Sequence, residues 1–221
     1  MAARRKVGNL VALAILSTLV GRPMHPYEMA SVMRARGKDR DMAIKWGSLY
    51  RVVDNLERHG LIEAVQSERR GGRPERTVYR ITDEGRAELV DWTRELIRAP
   101  EPTPTPFKAG LSVAGVLTPD EVADLLHERI ATLDRQIEQA RTELAGYAAE
   151  VPRVFLVESE YELAMWEAET AWVRGLLREI TEGTLPGVDA WRAYHRTGEV
   201  PPEIAALAET GAEPNRDRRA T

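Results

Sequence analysis

The chain of 221 residues contains no cysteine. Disulfide bonds and thiolate metal sites are therefore excluded, and a reducing compartment such as the cytoplasm is the expected location. Hydrophobic residues make up 43% of the chain and charged residues 30%, which is typical of a globular protein. The length is sufficient for one large domain or two small ones, each with its own core.

The sequence also lacks the motifs of common catalytic and cofactor sites. It has no nucleophile elbow, no Walker loop and no dinucleotide fingerprint, and residues 110–115 (GLSVAG) place their second glycine one position too late for an elbow. The histidines follow no metal-ligand spacing; they are His25, His59, His127 and His195. We therefore expect neither an enzyme nor a metal or cofactor site.

No apolar run is long enough to span a bilayer, which needs about 20 residues. The run from Leu10 to Val20 follows a basic start and has two interpretations. It resembles a secretory signal peptide, but no cleavage site of small residues follows it. We favour a buried first helix that Gly21 and Pro23 terminate, and we expect no membrane association.

Charge is distributed unevenly along the chain. Residues 1–98 carry 19 Lys and Arg against 13 Asp and Glu, a net charge of +6, whereas residues 99–221 carry 12 against 22, a net charge of −10. Between the two parts lies the segment APEPTPTP, in which proline prevents both helix and central strand. The predicted organisation is a first domain (1–98), a linker (99–106), a second domain (107–208) and a disordered tail (209–221).

The first domain combines helical periodicity with one hairpin. Helices are predicted over about 8–20, 26–37 and 47–59, and Gly37 and Gly60 are suited to their ends. LIEAVQSE and ERTVYRIT are rich in strand-forming residues and flank RRGGRP, which has the composition of a turn. A last helix opens at Thr82, with acidic residues in its first turn. This order predicts a mainly α protein whose first domain is a winged helix-turn-helix with a small β-hairpin wing.

The second domain is predicted to be α-helical. Apolar residues recur over 118–149 at alternating spacings of three and four, as in a coiled-coil seam. Residues 154–182 carry two apolar stripes, which indicates two packing partners. We expect a second copy of the chain to cover the seam, so this is predicted to be a dimerisation domain. The predicted interface comprises Val122, Leu126, Ile130, Leu133, Ile137, Leu144, Trp166 and Val173.

Three motifs, MHPYEMA, GSLYRVVDNLERHGLI and GRPERTVYRITDEGR, occur in this order. Together they resemble the PadR family of bacterial transcriptional regulators over about residues 8–98. The resemblance implies a sequence-specific, homodimeric repressor that a small molecule or stress signal releases from double-stranded DNA at a palindromic operator. Many relatives have glycine where Pro26 stands and proline where Arg51 stands, so the base preference does not carry over.

The DNA-binding residues are expected on the third helix and the wing. A helix in the major groove presents its outward face to base edges, while a basic turn suits phosphate or a narrow minor groove. The candidates are Lys45, Ser48, Tyr50, Arg51, Asn55, Arg69, Arg70, Arg73, His25 and Tyr27. The alternative is a protein–protein module of the same fold that has lost DNA binding. For Tyr27, a place in the core is equally compatible with the sequence.

A small-molecule effector is a further expected partner. Aromatic and methionine side chains can wall an adaptable apolar pocket, although filling a helix–helix core is their more common role. The candidate residues for this pocket are Trp92, Met165, Trp166 and Trp172.

Overall fold

The structure is a computed structural model that describes residues 7–38, 42, 44–68, 76–100 and 105–199. Its internal contacts divide the chain into two units, Met1–Pro102 and Thr103–Thr221. The division falls inside the proline-rich segment. In the described part, no helix is both long enough and apolar enough to cross a membrane.

The described part of the N-terminal unit contains three helices, a hairpin and a closing helix, as the sequence predicts. The elements are α1 (Leu10–Leu19), α2 (Pro26–Ala35), α3 (Leu49–Arg58), β1 (Ile62–Glu68), β2 (Arg76–Ile81) and α4 (Asp83–Arg98). A short 3-10 turn at Trp46–Ser48 leads directly into α3. Gly37 (φ 67°) and Gly60 (φ 72°) lie just past α2 and α3, in the left-handed region that glycine adopts most readily.

Helix α1 forms the centre of this unit. Its sequence is apolar on almost every side, and eight of its ten residues are buried. Asn9 caps the helix because its side chain accepts a 2.9 Å hydrogen bond from the backbone N–H of Val11. The apolar run near the N-terminus is therefore a core helix, as expected.

The hairpin is an antiparallel pair with Ile62 opposite Ile81, and its register shifts between Ala64 and Gln66. The turn between α1 and α2 extends it, because Met24 and Tyr79 exchange two backbone hydrogen bonds of 3.0 Å. The base of the hairpin is thereby joined to the start of α2 as well as to the end of α3.

The second unit is an antiparallel helical hairpin with shorter helices around it. Within residues 105–199 its helices are α5 (Pro106–Ser112), α6 (Pro119–Ala148), α7 (Val157–Thr181) and α8 (Val188–Thr197). Val122 and Leu126 of α6 pack with Val173, Leu177 and Ile180 of α7 in one buried cluster. Helix α8 closes this core, and the indole N–H of Trp191 donates a 2.9 Å hydrogen bond to the carbonyl of Leu117.

Candidate nucleic-acid interface

Helix α3 is firmly held on one side. Leu49, Val52, Val53 and Leu56 are buried in the core of the N-terminal unit. These positions form a single stripe at 3.6 residues per turn, so the other side of the helix faces away from the core. A rigid helix with a free polar side is what reading of a DNA groove requires.

The free side of α3 is centred on Arg51, Asp54 and Arg58. At 100° per residue, these three lie within about 30° of the direction opposite the buried stripe, and all three are exposed. Tyr50 lies nearer the edge of this side with 57% of its surface exposed, and Asn55 is half-buried.

Two of these residues, Asp54 and Arg58, are absent from the sequence-based candidates. A helical projection around the buried stripe would have found them. Arg58 adds a cation, while Asp54 places a carboxylate in the middle of the face and no described residue forms an ion pair with it.

The entrance to α3 is fixed by a turn that also presents a cation. The hydroxyl of Ser48 donates a 2.8 Å hydrogen bond to the carbonyl of Lys45, and the Arg34 guanidinium lies 4.1 Å from the centre of the Trp46 ring. This cation–π contact anchors the turn to the end of α2. Lys45 is exposed beside the start of the helix, where backbone amides favour an anion.

A second group of candidates lies at the start of α2. His25 caps this helix, and its Nδ1 accepts a 3.1 Å hydrogen bond from the backbone N–H of Tyr27. Nδ1 therefore carries no proton, which leaves the ring proton of a neutral histidine on Nε2. Tyr27 is 71% exposed, so its interpretation as a core residue is wrong. An ion pair with Arg22 lowers the pKa of Glu28 in the first turn of the same helix.

The strands of the wing are described, but its tip is not. Arg80 Nε donates a 2.6 Å hydrogen bond to Glu63 Oε1 across the two strands. The wing candidates Arg69, Arg70 and Arg73 lie outside the described residues, so their part in DNA binding stays a prediction.

Tyr79 ties the hairpin to α3. It is buried, and its hydroxyl donates a 3.5 Å hydrogen bond to Glu57 Oε2. Burial raises the pKa of Tyr79, and the neighbouring carboxylates of Glu57 and Asp54 raise it further. The contact places the base of the hairpin directly beside the free side of α3.

A compact turn joins α3, β2 and α4. The Thr82 hydroxyl donates a 2.7 Å hydrogen bond to the carbonyl of Gly60 and accepts a 3.0 Å bond from the backbone N–H of Gly85. Gly85 lies so close to the α3–β1 turn that a Cβ atom there would be 2.0 Å from the carbonyl oxygen of Leu61. This position therefore requires glycine.

The arrangement of these elements corresponds to a known family. Residues 15–91, from the middle of α1 to the middle of α4, match the family model described as the transcriptional regulator PadR-like family. The N-terminal unit is a PadR-like domain. No curated protein gives a significant match to the chain.

Solved structures extend the likeness beyond the PadR-like domain. Bacillus subtilis PadR in complex with operator DNA is 21% identical over 77% of this chain and 99% of its own, with a TM-score of 0.63. The same protein in complex with p-coumaric acid is 20% identical over 78% and 99%, again with a TM-score of 0.63. The Vibrio cholerae virulence activator AphA is 20% identical over 78% and 98%, with a TM-score of 0.58. At these identities the likeness establishes the fold, including helices beyond the PadR-like domain.

The predicted dimer seam of α6 is occupied within one chain. Val122, Leu126, Leu133 and Ile137 are buried, and the stripe to which they belong faces α7 of the same chain. Ile130 and Trp166 are half-buried and Val173 is fully buried. The buried members are consequently not available to a second copy while the helical hairpin is closed, whereas a contact of the half-buried Ile130, Leu144 and Trp166 with a second copy stays a prediction. The 3.5-residue spacing predicts a helical partner correctly but does not reveal that the partner is in the same chain.

The predicted effector residues are described in their separate surroundings, and a pocket formed by them stays a prediction. Trp92 is buried in the core of the PadR-like domain, whereas Met165 and Trp172 are exposed on α7. Trp172 meets the ring of Phe107 edge-on, at 6.3 Å between centroids. The Arg129 guanidinium stacks on the same Phe107 ring, 3.8 Å from its centroid. A cavity of about 360 Å³ lies elsewhere in the helical unit, between the end of α6 and the start of α7. Apolar side chains that include Leu144 line it.

Metal ligands are likewise not grouped in the described part of the chain. No three His, Cys, Asp or Glu residues there lie close enough together to hold a metal ion.

Proposed function

We propose that this chain is a cytoplasmic, sequence-specific DNA-binding transcriptional repressor that acts as a homodimer on a palindromic operator. The observation that carries the proposal is the free side of α3 in a PadR-like domain, with exposed Arg51 and Arg58 above a closed core. Such a helix fits the major groove, where arginine can pair with guanine.

The distribution of charge also supports the approach of α3 and the start of α2 to DNA. Residues 1–98 carry a net charge of +6, and the exposed Lys45 and the capped start of α2 lie at the ends of the elements that would approach DNA. Amides at a helix N-terminus and nearby cations both favour phosphate. The alternative, a protein–protein module without DNA binding, has no need of exposed cations at these positions.

Salt-dependent DNA binding tests the proposal. Fluorescence anisotropy with labelled duplex DNA should show a log affinity that falls steeply with log salt, by roughly 0.9 for each phosphate neutralised. Arg73→Ala should weaken binding to all duplexes similarly and reduce that slope by about 1. Arg51→Ala should weaken a selected operator more than random DNA. Arg135→Ala, which removes an exposed arginine of α6, is the matched control.

Binding without any salt dependence, or an Arg51→Ala variant with the wild-type preference for its operator, would contradict the proposed DNA contact. The mode of regulation is tested by transcription in vitro, where addition of the protein to an operator-bearing template should reduce transcript yield.

We further propose a small-molecule effector. Bacillus subtilis PadR has been solved with operator DNA and with p-coumaric acid, and aromatic side chains of α7 are exposed here. A ligand shifts the dimer away from DNA only by its preference for the released state, and a tenfold preference corresponds to about 1.4 kcal/mol per site. Aromatic compounds that release DNA should quench tryptophan fluorescence. A normal response in Trp166→Phe and Trp172→Phe variants would place the sensor elsewhere.

A further inference from the structure

A cleft of about 360 Å³ lies where the two long helices of the helical unit are connected. At this end α6 contributes Ala145 and Ala148 to the lining. Nearer the middle of the same helix, the buried residues are the larger Leu133 and Ile137. The methyl side chains at the end of α6 therefore leave open a space that larger ones would fill.

The walls of the cleft are mainly apolar. Besides the two alanines they include Leu144, Val151, Leu156 and Leu163. The connecting turn uses its own backbone donors: the N–H of Val151 donates a 2.8 Å hydrogen bond to the carbonyl of Tyr147, and the N–H of Leu156 donates one of 2.8 Å to the carbonyl of Arg153. Water against such walls finds few hydrogen-bond partners, so its displacement by an apolar molecule is favourable.

The charged residues that line the cleft are paired with counter-ions. Arg153 holds both carboxylate oxygens of Glu160, because its Nε donates a 2.8 Å hydrogen bond to Oε1 and its Nη2 donates one of 2.9 Å to Oε2. This contact lowers the pKa of Glu160, so the pair stays charged at neutral pH. Arg141 Nη2 donates a 2.6 Å hydrogen bond to Glu167 Oε1. Each charge in the lining thus already has a partner of opposite sign.

These properties define the kind of molecule that fits the cleft. An anion would have to separate an arginine from its glutamate, and a cation would have to compete with an arginine. An uncharged apolar molecule leaves both ion pairs intact and gains free energy from the apolar surface that it buries. A dry cavity of about 150 Å³ holds benzene, so a space of this size has room for about two aromatic rings.

We propose that this cleft binds an uncharged apolar molecule with the volume of about two fused aromatic rings. The site is formed within one helical hairpin. It uses none of the residues assigned to DNA contact, and none of the predicted effector residues lines it. The proposal therefore goes beyond the regulator function, and it is tested without DNA.

Naphthalene is the probe for this site, and 1-naphthalenesulfonate is its anionic counterpart. Equilibrium dialysis against the full-length protein should show saturable binding of naphthalene, with one molecule per chain, and weaker binding of the sulfonate. Methyl NMR spectra should locate the ligand, because an aromatic ring shifts the signals of nearby methyl groups. The signals of Leu144, Val151 and Leu163 should move, whereas that of Leu13 in the core of the PadR-like domain should not.

Variants at the end of α6 should close the cleft. Ala145→Phe combined with Ala148→Phe places two rings in it, so naphthalene should bind at least ~10-fold more weakly, since the apolar walls are already covered. Ala131→Phe adds a ring at an exposed alanine in the middle of α6 and should leave the affinity unchanged. Trp172→Phe should likewise bind as the wild type does, because Trp172 does not line the cleft. Circular dichroism should confirm that all three variants are folded.

Glu160→Gln tests the argument from charge. The substitution leaves Arg153 without its carboxylate, so an anionic ligand no longer has to compete for the guanidinium. The affinity for the sulfonate relative to that for naphthalene should rise by roughly 2- to 5-fold, which is the range expected for an exposed ion pair. An unchanged ratio would contradict the role assigned to the paired charges.

Other results would overturn the proposal as a whole. They are an absence of saturable naphthalene binding up to its solubility limit, and equal affinity in the wild type and the double phenylalanine variant. A wild type that prefers the sulfonate would make the cleft an anion site. Light scattering tests for a different occupant: naphthalene should leave the molar mass unchanged, and a fall to the monomer would mean that a second copy of the chain fills the cleft. None of these results bears on DNA binding, which is measured separately.

Discussion

Replacing Gly85 by alanine should strongly destabilise the PadR-like domain. Gly85 lies in the first turn of α4, against the turn that connects α3 to β1. The added Cβ atom would lie 2.0 Å from the carbonyl oxygen of Leu61 and 2.9 Å from Cγ1 of Ile81. The nearer obstacle is backbone, which cannot rotate away as a side chain can.

The size of the effect follows from this geometry. A normal carbon–oxygen contact would require α4 or the Leu61 carbonyl to move by more than about 1 Å, and overpacking of this kind costs roughly 1–3 kcal/mol. The same carbonyl accepts a 3.2 Å hydrogen bond from the backbone N–H of Thr82, whose loss adds about 1 kcal/mol. Alanine recovers about 0.4–1 kcal/mol by restricting the unfolded chain. These terms sum to a loss of about 1–3.6 kcal/mol, and we take about 2–3 kcal/mol because the obstacle is backbone.

Thermal unfolding of the full-length variant measures this loss. For a unit of about 100 residues, 2–3 kcal/mol lowers the midpoint by roughly 10–20 °C. Hydrogen exchange resolved by peptide should assign the change to α3, β1 and α4. Gly146→Ala is the matched control, since a Cβ atom there meets nothing within 4 Å and should be neutral or stabilising. A Gly85→Ala protein that melts with the wild type would refute the close approach of α4 to Leu61.

Two further predictions concern the junction of α3 with the hairpin. The pKa of Tyr79 is raised above its usual 10.0, so the folded state binds the phenolic proton more tightly than the unfolded state does. The contribution of this tighter binding to the free energy of unfolding is complete below pH 10 and is lost as the pH rises through the folded pKa. Urea titrations should show this decrease in stability at alkaline pH for the wild type but not for Tyr79→Phe. A carboxylate can accept a hydrogen bond from the amino group of cytosine, whereas asparagine pairs with adenine. In selection from random duplexes, Asp54→Asn should therefore change the preference at one position per half-site from cytosine to adenine. Glu57→Gln should not change it. The same change in both variants would mean that Asp54 acts only through its charge and not through contact with a base.

Local sequence signals predict the elements of the PadR-like domain well. Gly37 and Gly60 mark helix ends, Thr82 marks a helix start, and each leaves a signature in the sequence that depends only on neighbouring residues. The buried side of α3 follows from its periodicity in the same way. The complete outward face is not predicted in the same way. A choice by residue type selects Tyr50 and Arg51, which commonly contact DNA, and leaves out an acid such as Asp54.

Long-range pairing is what the sequence leaves undetermined. The stripe of α6 requires a helical partner, but periodicity is the same whether that partner is α7 or a second chain. The ion pairs that decide the matter, such as Arg174 with Asp134, join residues 40 positions apart. The close contact of Gly85 with Leu61 is equally invisible before the chain is folded. Helices α5 and α8 are only seven and ten residues long, and their bounds come from the structure.

The backbone pairing of Met24 with Tyr79 has a consequence for how a signal can reach DNA. Because the pairing joins the hairpin to the start of α2, and Tyr79 also contacts Glu57 of α3, the three parts that would touch DNA cannot easily shift against one another. We therefore expect each PadR-like domain to behave as one rigid body. If two copies bind an operator as proposed, its release is expected to change the distance between the two PadR-like domains and not the arrangement inside either one.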